Sequence, residues 1–129
     1  MKLLDASVLV GYAQGERAAA DYLGRNDDTI FGAPTVVLSE MYTGLFRTTD
    51  LTREEAKAKY GWVRAVPFTD EAAVETAEIR ATLSARGEKI NATDTYIAGT
   101  ARAFDVPLVT ADGDFEKVDG LDVENYRDH

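Results

Sequence analysis

The sequence predicts a three-layer α/β/α sandwich around a mostly parallel sheet, and three observations support it. Short apolar, strand-like runs alternate with segments of helical apolar spacing along the whole chain. Several of those runs end at or just before an acid, and the length suits one core. At 129 residues, positions 1–129 read as a single domain, because dividing them would leave neither half enough apolar surface to bury. No repeat, low-complexity tract or Pro/Ser-rich linker interrupts the alternation. Pro34, Pro67 and Pro107 each stand near the start of an apolar segment and punctuate elements.

The elements follow in order. Lys2-Leu3-Leu4-Asp5 reads as a strand that ends in an acid, and Ala6–Gly11, with Val8 and Leu9, as the helix after it. Arg17–Leu23 is rich in helix formers and closes near Gly24 and Asn26, while Thr29-Ile30-Phe31, between Asp28 and Gly32, predicts a second strand. Beyond Pro34, Val37, Leu38, Met41, Leu45 and Phe46 recur at spacings of three and four. This predicts a helix with the proline in its first turn and Glu40 within it. Thr52 and Glu55 stand at capping-box spacing and open a helix expected to run through Trp62 and Val63, after which Ala65–Phe68 reads as a strand.

Ala73, Val74, Ala77, Ile79, Ala81 and Leu83 predict a long helix from Thr69 or Asp70, closed by Gly87 after Arg86. Another helix follows, capped by Asn91 or Thr93, with Tyr96, Ile97, Ala101 and Phe104 on its apolar face. Leu108-Val109 predicts a buried strand, Phe115 and Val118 a short helix, and Leu121–Glu124 an edge strand. Strands alternating with helices imply right-handed crossovers, and ligands of such sheets bind beyond the carboxyl ends of the strands.

Composition narrows the chemistry. There is no cysteine, which excludes a disulfide framework, a zinc ribbon, an iron–sulfur site and a thiol nucleophile; a lone histidine, His129, argues against a histidine metal site or catalytic dyad. Carboxylate chemistry remains. Fourteen Lys and Arg against 23 Asp and Glu give a net charge of −9, which argues against broad electrostatic attraction to nucleic acid. A metal-bridged contact or a basic partner is compatible with that charge, and so is a cytoplasm held at high salt. The apolar start is interrupted by Asp5, no secretory cleavage pattern follows, and no window approaches the roughly 20 apolar residues that span a bilayer. The expected location is cytoplasmic.

Four acids stand out. Asp5 directly follows Leu3-Leu4 and Asp112 lies just beyond Leu108-Val109, so both should emerge at one rim of a parallel sheet. Asp94 falls in the first turn of its helix, and Glu40 among Val36, Val37, Leu38 and Met41. Each has a plainer role open to it: Asp5 as a helix cap, Asp94 as a dipole-favoured acid, Asp112 in a solvated turn and Glu40 on an exposed helical stripe. If they converge, their mutual repulsion calls for a divalent cation. Oxygen-only donors select Mg²⁺ or Mn²⁺. Such an ion acidifies water and offsets charge on phosphate oxygens, which implies phosphodiester hydrolysis.

Taken together, Leu3-Leu4-Asp5-Ala6-Ser7-Val8-Leu9, Val37-Leu38-Ser39-Glu40-Met41, Asn91-Ala92-Thr93-Asp94-Thr95-Tyr96-Ile97-Ala98 and Val109-Thr110-Ala111-Asp112-Gly113-Asp114-Phe115 resemble the motifs of PIN-domain ribonucleases. In order and spacing they are similar to the short VapC-like toxins of type II toxin–antitoxin pairs, essentially end to end. The resemblance implies a PIN-like fold and a metal-dependent endoribonuclease that inhibits translation. Asp5, Glu40, Asp94 and Asp112 would then be the catalytic quartet holding Mg²⁺ or Mn²⁺. Asp114 is a fifth candidate, binding through water or replacing Asp112. Ser7 and Thr110 would orient the carboxylates, or else cap local backbone.

The resemblance also implies an RNA substrate, a homodimer with two sites in one groove, and a cognate VapB-like antitoxin laid across that groove. Arg17, Arg25, Arg47, Arg53, Lys57 and Lys59 are candidates for phosphate or partner contacts, with a solvated face as the plainer role. Tyr12, Tyr42, Phe46, Tyr60 and Trp62 are candidates for the groove, with core packing as the competing role.

The rival readings are fewer. A PIN-domain nuclease of RNA maturation shares every motif, and a small overlapping upstream reading frame would favour the toxin. A signalling receiver module needs a lysine after a late strand, where this chain has Thr110 and Asp112; a haloacid-type phosphatase needs a second aspartate where Ser7 stands. A non-catalytic PIN-like interaction module would have lost its acids.

Overall fold

A computed structural model describes residues 1–128, and His129 lies outside the described residues. Five strands form one sheet: β1 (Lys2–Leu4), β2 (Phe31–Pro34), β3 (Arg64–Val66), β4 (Leu108–Thr110) and β5 (Val123–Asn125). The helices are α1 (Ala6–Ala13), α2 (Arg17–Arg25), α3 (Thr35–Thr48), α4 (Arg53–Lys59), α5 (Asp70–Ala85) and α6 (Ala92–Phe104), with a 3₁₀ turn at Gly113–Lys117. The strand order is β3-β2-β1-β4-β5, and every pairing is parallel rather than merely most of them.

The order reverses at β1. From there the chain winds outward through β2 and β3, then returns through α5 and α6 to pair β4 on the other side of β1. This places the topological switch point between β1 and β4, where the connections diverge and leave a crevice at the carboxyl ends. Leu3 pairs with Leu108 and Leu4 with Val109, so Asp5 and the segment after Thr110 emerge side by side. Leu3, Leu4, Leu108 and Val109 are fully buried, as expected of central strands covered on both faces. No helix among the described residues is long and apolar enough to cross a membrane.

Several boundaries differ from those expected. The second strand is Phe31–Pro34 instead of 29–31, and Ile30 is 53% exposed outside it. Phe-Gly-Ala-Pro has poor strand propensity, but all four residues are buried between β1 and β3, and that packing overrides propensity. Gly32 is required there, since a Cβ would stand 2.8 Å from Val66 Cγ2 and 3.0 Å from Met1 Sδ. Pro34 closes the strand and caps α3 with an extended ψ of 141°, so it precedes the first helical turn that it was expected to occupy.

Both reciprocal bonds of the capping box at Thr52 and Glu55 are present, yet α4 ends at Lys59 and does not reach Trp62 and Val63. Tyr60 caps it against the edge of Tyr42, and a turn buries Val63 before β3 begins at Arg64. Pro67 and Phe68 fall outside that strand; proline has no N–H to continue a ladder. Thr69 and Asn91 cap α5 and α6, and Gly87 follows α5 with a φ of +68°, a conformation that glycine takes without strain. Val118 caps the 3₁₀ turn and lies just outside it, and β5 starts at Val123 instead of Leu121.

The closest helix crossing depends on Gly99. A Cβ at this position of α6 would fall on Thr76 Oγ1 and within 2.9 Å of the Ala72 carbonyl oxygen of α5. Alanine improves helix propensity by about 1 kcal/mol, but the clash is with backbone and with a buried hydroxyl bonded to Ala72 at 2.7 Å. Gly99→Ala is therefore expected to lower stability by about 1–3 kcal/mol in urea unfolding. A gain would mean that α5 and α6 can separate freely.

Candidate active site

Asp5 occupies the hinge between β1 and α1. As the N-cap of α1 it accepts the Ser7 backbone N–H at Oδ1 (3.0 Å), and the Ser7 hydroxyl donates to the same oxygen at 2.5 Å. Its other oxygen, Oδ2, accepts the Thr110 hydroxyl at 2.6 Å. The N-cap of α1 is thus also one of the candidate site acids. Asp5 is only 5% exposed, and burial holds its carboxyl above the usual range even though the Ser7 and Thr110 bonds pull the other way.

The same hydroxyls lace β4 to α1. Ser7 Oγ accepts the Ala111 N–H at 3.1 Å and Thr110 Oγ1 accepts the Asp112 N–H at 2.9 Å. Both side chains therefore orient Asp5 and cap backbone at once, the two roles that had stood as alternatives. Asp112 in turn caps the 3₁₀ turn by accepting the Asp114 N–H at 2.9 Å. Asp114 pairs with Lys117 at 3.2 Å, which partly neutralises it.

Asp94 lies half-buried in the first turn of α6. Its carboxyl is pushed up to about 6, first by burial and then by the charges of Asp112, Asp5, Asp114 and Glu40, in that order. Five acids from four separate stretches of chain therefore share one electrostatic environment. Glu40 is the outlying member: it is exposed on α3, with Val37 and Leu38 buried beside it, and contributes least to Asp94.

As they stand, no three of these side chains, or of any His, Cys, Asp or Glu among the described residues, are gathered tightly enough to hold a metal ion. The donor chemistry nonetheless fits a hard divalent cation: carboxylate oxygens only, and an unrelieved repulsion centred on Asp94 that positive charge would offset.

Arg17, Arg25, Arg47, Arg53, Lys57 and Lys59 are all exposed, and Arg25 ends α2 next to Asn26, which bonds Lys2 at the amino end of β1, on the rim opposite Asp5. Of the candidate groove aromatics, Tyr42 and Tyr60 pack against the core and meet edge to face at 5.9 Å. Tyr12 and Trp62 form an exposed pair at 5.5 Å, and Phe46 is 50% exposed. Tyr42, Phe46, Arg53 and Lys57 line one open cavity between α3 and α4.

Sequence reading missed Tyr126. Its backbone N–H donates to the Thr110 carbonyl at 3.2 Å and its hydroxyl to the Ser7 carbonyl at 3.4 Å. No local pattern announces it, since 119 positions separate it from Ser7.

Comparison with known proteins accords with this geometry. No curated protein sequence matches the chain significantly. Among solved structures, VapBC2 from Rickettsia felis, bound to a DNA fragment of its promoter, superposes with a TM-score of 0.82 at 21% identity, covering 96% of this chain and 97% of that one. FitAcB from Neisseria gonorrhoeae gives a TM-score of 0.82 at 23% identity over 100% of both chains. FitAB bound to a DNA fragment gives 0.81 at 25% identity, over 98% of this chain and 96% of that one. The PIN domain family model matches residues 2–121, nearly the whole length, and the chain belongs to the PIN domain family.

Proposed function

We propose that this chain, acting as a single domain over residues 1–129, is a divalent-metal-dependent endoribonuclease and the toxin of a VapBC-like pair. The observation that carries the reading is the shared electrostatic environment of Asp5, Asp94, Asp112 and Glu40 at the switch point of a PIN fold. PIN-domain toxins are generally nucleases, which supports a hydrolase. The four acids would hold Mg²⁺ or Mn²⁺. Asp112 is preferred to Asp114 as the fourth ligand because Lys117 already engages Asp114, and because Asp112 weighs more heavily on Asp94. When bound, the cation would supply acidified water and compensation for charge developing on phosphate oxygens.

The protein's own groups then have definite tasks. Ser7 and Thr110 hold both oxygens of Asp5 and remove its freedom to turn away. Asp94 is presented from a helix start, where the dipole favours its charge. Exposed arginines and lysines admit an RNA strand by local phosphate contacts in place of a broad positive field. The cavity bordered by Tyr42, Phe46, Arg53 and Lys57 is the place for an antitoxin segment, in keeping with neighbours described as VapBC and FitAB pairs. A homodimer, a cytoplasmic location and inhibition of translation complete the reading.

The test is cleavage of mixed cellular RNA by the purified chain with Mn²⁺, with EDTA, and with Asp94→Asn, at low and molar KCl. Cutting that needs the cation and is lost in the variant is expected. Cutting that survives in the variant would overturn the assignment of the site. Well-folded protein that cuts nothing at either salt would point to a non-catalytic binding role.

A further inference from the structure

We propose that Tyr126 is a positioning residue for Asp5, acting through Ser7 and Thr110. The inference rests on Asp5 as a cation ligand, and it adds a residue that lies outside every acidic motif. Asp5 is held by two hydroxyls, one at each oxygen: Ser7 from α1 and Thr110 from β4. Tyr126 bonds the backbone carbonyls of these same two residues, Thr110 through its own N–H and Ser7 through its hydroxyl. It therefore spans the junction at which the two halves of the Asp5 cradle meet.

The surroundings hold it there. Tyr126 is 1% exposed, and its hydroxyl passes close over α1 at Gly11, where a Cβ would stand 3.2 Å from it. Arg127 lies over the Tyr126 ring at 5.3 Å and pairs with Glu16 at 2.7 Å, tying the end of the chain to the turn between α1 and α2. β5 is an edge strand that pairs in the sheet with β4 and is further held at Glu124 by Lys2 and Tyr22. Tyr126 carries its hold across to α1. A buried aromatic ring could merely fill space, and phenylalanine would do that equally well. Phenylalanine lacks the hydroxyl, and with it both the bond to the Ser7 carbonyl and the interaction with the Glu16 carboxylate that Arg127 also holds.

The experiment compares Tyr126→Phe with Tyr22→Phe in the full chain. Tyr22 is a second buried tyrosine, whose hydroxyl donates to Glu124 at 3.0 Å and lies near Lys2, at the other end of β1. Two readouts are taken: Mn²⁺ affinity by calorimetry, and amide hydrogen exchange at Ser7, Val8 and Ala111 by NMR. Tyr126→Phe is expected to weaken Mn²⁺ binding by roughly 3- to 10-fold, the range for one outer hydrogen bond, and to speed exchange at these amides. Tyr22→Phe should change neither.

Wild-type affinity and exchange in Tyr126→Phe would overturn the proposal. If the wild-type chain takes up no Mn²⁺, the cation reading fails on its own account, and the exchange rates decide: faster only in Tyr126→Phe supports the clamp, unchanged overturns it. Should Tyr126→Phe not fold, Gly11→Ala crowds the same hydroxyl at 3.2 Å, together with Glu16 Oε1 at 3.1 Å, from α1 and is held to the same two readouts.

Discussion

Asp94→Asn is expected to abolish RNA cleavage and, in metal-free buffer at pH 7, to raise the melting temperature by a few degrees. The two effects have one cause. The Asp94 carboxyl is raised from an ordinary 3.8 to about 6 by burial and by the four neighbouring acids, so its ionised form is disfavoured in the folded chain. Between about pH 4 and pH 6 the native state retains a proton that the unfolded chain has released. Stability therefore falls as pH rises through that window and levels off above it.

A shift of two units corresponds to about 3 kcal/mol, which solvent screening of this half-buried group reduces to about 1–2 kcal/mol. Asparagine abolishes that penalty but forgoes a helix-dipole contribution of about 0.3–1 kcal/mol. A net gain of about 1 kcal/mol is left, or roughly 2–5 °C for a domain of this size. The advantage should vanish near pH 3, below both values, where wild-type Asp94 is protonated in both states. Melting curves at pH 3 and pH 7 check this: a wild type as stable as the variant at pH 7, or a gap that persists at pH 3, would show that burial and the neighbouring acids together do not penalise ionised Asp94 in the folded chain.

Asp5 is expected to behave differently, because it is both a ligand candidate and a structural cap. Asp5→Ala should lower stability by about 1–3 kcal/mol as well as cleavage by more than about 100-fold. It removes the cap of α1 and leaves the Thr110 hydroxyl, 1% exposed with its residue, without its acceptor. Relief of carboxylate burial opposes this loss without cancelling it. Asp5→Asn retains a good cap and an amide that can meet both hydroxyls, so its stability should stay within about 1 kcal/mol of wild type while cleavage is still lost. Urea unfolding beside a cleavage assay separates the two contributions. Cleavage by Asp5→Asn at wild-type rate would remove Asp5 from the cation site.

The parts of this fold that were legible in the sequence are those governed by local physics. The capping box at Thr52 and Glu55, the Asn91 and Thr69 caps and the glycine stop at Gly87 each depend on residues within a few positions of one another, and all are present. The misread boundaries lie where non-local packing prevails. Phe31–Pro34 is a strand because β1 and β3 flank it, and Trp62 leaves its helix because Val63 must bury ahead of β3.

The candidate site divides in the same way. Which acids follow strands and open helices is written in local period and capping; with one all-parallel sheet, this sufficed to put Asp5 and Asp112 at one rim. How strongly each acid acts on Asp94 depends on contacts between distant stretches of chain. The charges of Asp5, Asp112, Asp114 and Glu40 raise Asp94 because parallel crossovers fold four distant stretches together, while Glu40 stays exposed at the margin and Lys117 pairs with Asp114. Tyr126 was invisible for the same reason. Its two bonds join residues more than a dozen and more than a hundred positions away, and no periodicity of the chain encodes a contact that the return of β5 to the sheet alone creates.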